Sequence, residues 1–108
     1  MNPACYDIYW AHFPYGHSND LRPCMIYEVL ANGNYTVIPI SSALDLFDRR
    51  DHFMLHKNHP DFPATGLRKE SFLGVSRIRE LRGDKLAKRL GVVTGQLLQD
   101  FKIWFGAP

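Results

Sequence analysis

The pair Asn32-Gly33 separates two runs rich in strand-forming residues, Cys24-Met25-Ile26-Tyr27 and Tyr35-Thr36-Val37-Ile38. Asn-Gly tolerates the positive φ angles whose twist matches that of flanking antiparallel strands, so it is the strongest short hairpin signal a chain can carry. The expected strands run from Arg22 to about Leu30 and from Tyr35 to Ile40, with Asn32-Gly33 at the turn centre. The start of one strand then meets the end of the next, and Arg22 is brought to Ser41 by topology alone. Pro23 cannot donate to a ladder and fits the first residue of a strand, which puts Arg22 at a strand mouth. From there a guanidinium can clamp an anion through two parallel bonds; a plain ion pair with Asp20 is the competing reading. Pro39 predicts an edge or a bulge near the end of the second strand.

The remaining elements follow from local pattern. Tyr6 to Phe13 is aromatic-rich and reads as a first strand, with Trp10 expected in the core. Pro14-Tyr15-Gly16 breaks it and a polar loop leads to Asp20. Ser41-Ser42 caps a short helical turn through Leu44 and Leu46. The charged run Asp45 to Asp51 is expected on the surface. His52 to His56 alternates as a fourth strand, and Lys57 to Gly66 is a loop with two prolines. One or two strands around Gly74 fill Glu70 to Leu81, and Asp84 to Ala87 reads as a short helical turn. Leu97, Leu98, Phe101, Trp104 and Phe105 fall at helical spacing behind Thr94 as N-cap, with Gly106 and Pro108 closing the helix. Short strands followed by one helix predict a mainly β fold, a small barrel or sandwich with a helix packed on it, spanning residues 1–108 as one domain.

Net charge is only +2, but it is uneven. From Arg68 to Arg89 there are eight basic residues against three acidic ones, which favours an anionic partner such as RNA or an acidic peptide. Cys5 and Cys24 lack a CxxC spacing and make no disulfide framework, so both are expected as free thiols. There is neither a signal-peptide pattern nor an apolar run of membrane-spanning length; a cytoplasmic protein with no membrane contact is expected.

Motifs for common chemistries are missing: no Walker loop, dinucleotide fingerprint, HExxH or nucleophile elbow, and no small-molecule cofactor is expected. His52, His56 and His59 raise the possibility of a metal, but His52 and His56 on one strand are separated by about 13 Å of rise, too far to share an ion. No metal is expected. Left over for chemistry are Arg22, the loop residue His17, and the hydroxyls of Ser41 and Ser42.

In their order and spacing, several pieces of the chain resemble the MazF/PemK (Kid) family of toxins from type II toxin–antitoxin systems. They are Asp7-Ile8-Tyr9-Trp10, Gly16-His17 before Arg22-Pro23, Val37-Ile38-Pro39-Ile40-Ser41-Ser42, Gly66-Leu67-Arg68-Lys69-Glu70-Ser71, Ile78-Arg79 and Leu90-Gly91. The resemblance implies an SH3-like barrel of the PemK/CcdB type and a bacterial, cytoplasmic homodimer that inhibits growth. It also implies sequence-specific, metal-independent cleavage of single-stranded RNA (mRNA), with an acidic antitoxin protein as partner. The family's catalytic arginine and strand-end threonine carry onto Arg22 and, as a serine, Ser41. His17, with an ordinary pKa near about 6.5, is the best acid or base. Ser42, Arg68, Lys69, Arg77 and Arg79 are the expected RNA contacts.

The chain departs from the family pattern at Ser18, where a glutamate is common; at Ser76, which replaces an aspartate; and at Tyr6, where glycine is usual. Losing two carboxylates leaves open a barrel that binds RNA or an antitoxin peptide without cutting. A CcdB-like, gyrase-directed toxin is a further alternative, weakly matched because that family's C-terminal Trp-Gly-Ile is absent.

Overall fold

The computed structural model describes residues 2–13 and 21–106; His17, Ser18 and Asp20 lie outside them. The central hairpin forms as expected, from β2 (Leu21–Val29) and β3 (Tyr35–Ser41). Its turn is not the two-residue type. The Leu30 carbonyl accepts from Gly33 N–H (3.1 Å), the Leu30 N–H donates to the Asn34 carbonyl (2.9 Å), and only Gly33 (φ 88°) has positive φ. Such three-residue loops end in a left-handed glycine. The Asn32 side chain accepts from Asn34 N–H, and Asn32 and Asn34 both donate to Glu80, pinning the loop to β6 (Arg79–Leu81).

A bulge then corrects the register. Val29 faces Tyr35 and Glu28 faces Thr36, but Ile26 faces Val37, so Tyr27 is an extra residue on β2. Beyond it Met25 pairs with Ile38 and Cys24 with Pro39. Carried two residues further, this register sets Arg22 across from Ser41; without the bulge it would face Ser42.

The sheet order is β4-β5-β3-β2-β1-β7, with β6 also pairing to β3; the other strands are β1 (Asp7–His12), β4 (His52–Leu55), β5 (Ser71–Gly74) and β7 (Leu86–Val92). Cys24, Met25 and Ile26 are consecutive and all buried, as are Val37 and Ile38, because the central strands carry core on both faces. One core joins Ile8, Met25, Ile38 and Leu73 to Leu97 and Phe101 of helix α1 (Gly95–Phe105). The other joins Tyr9, Ala11, Phe13, Ile26, Val37 and Leu86.

Several expectations are corrected. Pro39 is on neither an edge nor a bulge: β3 pairs with β6 through Val37 and with β5 from Ile40, and the proline falls in the gap between those ladders. Residues Asp84 to Ala87 are not one helical turn; a 3-10 turn ends at Lys85 and β7 begins at Leu86. That whole strand is missing from the sequence reading. Thr94 makes no side-chain cap. Asp61 does so from a distant loop, accepting from Gln96 N–H (2.8 Å) and Leu97 N–H (3.2 Å). Gly95 (φ 62°) permits this, since a Cβ there would lie 2.7 Å from the Asp61 carboxylate. Tyr6, standing where the resembling family has glycine, takes the left-handed φ of 73° that a side chain disfavours. Among the described residues no helix is long and apolar enough to cross a membrane.

Candidate functional site

A groove of about 1000 Å³ crosses the mouth of the central hairpin. Arg22 enters it from the start of β2, and Ser41 and Ser42 from the end of β3. Ser41 is half-buried, and its Oγ accepts the Ala43 N–H (3.1 Å). With that lone pair engaged, the hydroxyl proton is available to donate to a ligand.

Arg68 and Lys69 reach the same groove through a corner built by small residues. Gly66 has φ 73°, and a Cβ on it would meet the Leu90 carbonyl oxygen, so only glycine passes there. Buried Thr65 locks the corner by donating its hydroxyl to the Phe62 carbonyl (2.6 Å) and accepting from Leu67 N–H (3.2 Å). Ser71 then donates to the Lys69 carbonyl (2.8 Å). Glu70, between the basic pair and Ser71, does not line the groove; it accepts from Lys57 N–H (2.8 Å), 3.7 Å from His56.

Two further groove residues were not expected there. Trp10, read as core, is only half-buried and lines the wall. Its neighbours across the sheet are Pro23 on β2 and Lys88 on β7, and Lys88 is the fourth cation of the groove. Lys88 could have been placed only by recognising β7. Arg77 and Arg79 lie elsewhere: Arg77 is in a 3-10 turn, and the Arg79 guanidinium stands 5.9 Å over the Phe13 ring. Ser76, at the position of the family aspartate, belongs to a small depression beside Trp104.

The electrostatics are one-sided. Among the described lining residues there are four cations and no carboxylate. None of those cations has an ion pair or a side-chain hydrogen bond with another described residue. Arg89, next in sequence to Lys88, is neutralised by Asp7 (3.3 Å). Cys24, two residues from Arg22, is fully buried, and burial pushes its thiol up to about 12; it is no nucleophile. Two of the described histidines are held locally: His52 accepts from Asp48 N–H (2.9 Å) and stacks on Phe72, and His59 accepts from Asp61 N–H (3.0 Å).

The fold, an antiparallel sheet with one C-terminal helix, is shared with several solved structures. An endoribonuclease in complex with its cognate antitoxin, from a mycobacterial species, aligns over 100% of this chain and 98% of its own (15% identity, TM-score 0.64). Mycobacterium tuberculosis toxin MazF-mt6 aligns over 94% and 98% (18% identity, TM-score 0.62). A mycobacterial endoribonuclease aligns over 100% and 96% (15% identity, TM-score 0.64). These likenesses define the fold. A search of curated protein sequences gave no match. The family model of PemK-like, MazF-like toxins of type II toxin–antitoxin systems matches residues 4–104, and the chain belongs to that family.

Proposed function

We propose that the protein is an endoribonuclease toxin that cleaves single-stranded RNA sequence-specifically and without a metal, using Arg22 and Ser41. The observation carrying this reading is the groove itself: four cations without a described counter-charge, around a serine whose oxygen accepts from Ala43 N–H and whose hydroxyl proton is free to donate. RNA supplies its own nucleophile. The 2′-oxygen attacks the adjacent phosphorus and gives up its proton; the bond to the 5′-oxygen breaks, and that oxygen takes a proton. The products are a 2′,3′-cyclic phosphate and a 5′-hydroxyl. Arg22 stabilises the charge that accumulates on the phosphorane, a role suited to a planar group that stays protonated. Ser41 donates to a non-bridging phosphate oxygen. His17, outside the described residues, is the assigned acid or base. Arg68, Lys69 and Ser42 hold the flanking strand.

A second reading is favoured by one observation. No imidazole or carboxylate is among the described lining residues, so the groove as described has clamps but no titrating group. An RNA-binding protein without cleavage would have that constitution.

Incubation of purified protein with mixed single-stranded RNA in the presence of EDTA decides between them. Discrete fragments ending in cyclic phosphate support the nuclease; RNA retained intact on the protein selects the binding module. The same proposal includes a homodimer and an acidic antitoxin. The exposed apolar side chains Leu46 and Ile103 and the basic segment containing Arg68 and Lys69 support those partners. A monomer by light scattering at tens of micromolar would remove the dimer.

A further inference from the structure

We infer that β7 supplies a second phosphate subsite in the groove, with Lys88 holding the RNA backbone at a position beside the one clamped by Arg22. The inference rests on the reading of the groove as an RNA site. Its structural basis is the irregularity of β7. Ile8 pairs with Gly91 but Tyr9 with Arg89, and Trp10 pairs with Lys88 but Ala11 with Leu86, so Leu90 and Ala87 are both extra residues on β7. Bulges bend a strand and re-aim its side chains. Here they bracket Lys88 and Arg89, which meet different fates: Arg89 is ion-paired to Asp7, whereas Lys88 lines the groove with no partner among the described residues.

The strand order keeps the two cations apart. Lys88, Trp10 and Pro23 are successive cross-strand neighbours, so β7 stands two strand spacings, roughly 10 Å, from the strand that carries Arg22. A long, flexible ammonium side chain acts as a point charge on a phosphate and carries no base preference. Lys88 should therefore contribute affinity across all sequences and leave the cleavage motif alone.

The test is binding of a fluorescent single-stranded RNA blocked by 2′-O-methyl groups, titrated over a series of salt concentrations. Removing one phosphate contact lowers the slope of log K against log salt by about 0.7 for a single strand. Lys88→Gln is expected to show that loss, Lys88→Arg to keep the wild-type slope, and Lys85→Gln, whose residue lies outside the groove lining, to change nothing. Melting curves confirm that each variant is folded. A wild-type slope and affinity in folded Lys88→Gln overturns the inference while leaving the nuclease reading intact, and would mark Lys88 as a charge that only guards a sheet edge. If the wild-type protein neither binds this probe nor cuts unmodified RNA, both readings fail together.

Discussion

The hairpin mouth and the helix face treat their polar groups in opposite ways. Around α1, Phe101 contacts Phe53 at 5.5 Å and Phe105 at 5.4 Å, and Tyr27 meets Phe105 edge-on at 5.3 Å. The exposed helix start is satisfied by Asp61, and Lys102 lies 5.3 Å over the Tyr6 ring. At the hairpin mouth, four like charges converge with no described carboxylate to offset them. Close like charges repel, so the groove works against folding unless an anion enters it. The contrast separates the part of the chain that holds the fold from the part left poised for a ligand.

The largest expected effect is on the helix face. Phe101→Ala removes a fully buried ring from the main core and should cost about 3–5 kcal/mol of stability by denaturant unfolding. A loss below 1 kcal/mol would show that α1 is not integral to that core. Next comes Arg22. Arg22→Lys should reduce cleavage by about a hundred- to a thousand-fold, equivalent to about 2.7–4 kcal/mol, with the melting temperature unchanged. Ser41→Ala should cost less, and Ser41→Thr should be tolerated. A drop in melting temperature with cleavage intact would move Arg22 to the structural side of the comparison.

A smaller effect is expected at Asp61. Asp61→Ala should lose about 0.5–2 kcal/mol of stability as the helix cap disappears, while Asp61→Asn, which keeps an acceptor oxygen, should retain most of it. RNA cleavage per folded molecule should be the same in both. Equal losses in the two variants would point to charge rather than capping.

The smallest concerns pH. Hydrogen bonds from Asn34, then Asn32, hold the Glu80 carboxyl below the usual glutamate range. A depressed folded pKa stabilises at pH above the unfolded value and is lost as pH falls through the folded one. The wild-type melting temperature should therefore fall more steeply than that of Glu80→Gln below pH about 4.3, as this advantage is lost. Parallel curves for the two would mean that the loop contact carries no net stability.

Legibility from sequence followed the range of the interactions involved. Asn32-Gly33 and the apolar runs beside it are local signals, and they led to Arg22 and Ser41 sharing one end of the hairpin. The chosen turn centre was nevertheless a residue out of register, and the Tyr27 bulge brought the pairing back. No local signal announces a bulge. For β7 the pattern failed altogether: Ala87-Lys88-Arg89 is exposed and polar, and two extra residues break the alternation of period two that marks a strand. Lys88 was lost with it. Trp10 was misplaced because an aromatic in an apolar strand is ordinarily core. The Asp61 cap joins residues 35 apart to Gln96, so Thr94 was the only cap that proximity could offer.

The irregular strand also bears on how the molecule behaves in a crowded solution. Among the described residues the main run of the sheet ends at β4 on one side and β7 on the other, and the three-residue β6 pairs with β3 alone. A straight outermost strand is a template on which another chain can pair, and from there a fibre can grow. β4 has four residues, which limits such a template by length, and β7 is twisted twice within seven and carries Lys88 and Arg89 at its centre. Replacing Lys88 by threonine would discharge that border while keeping the Arg89–Asp7 pair, and the predicted cost is turbidity on concentration with little loss of melting temperature.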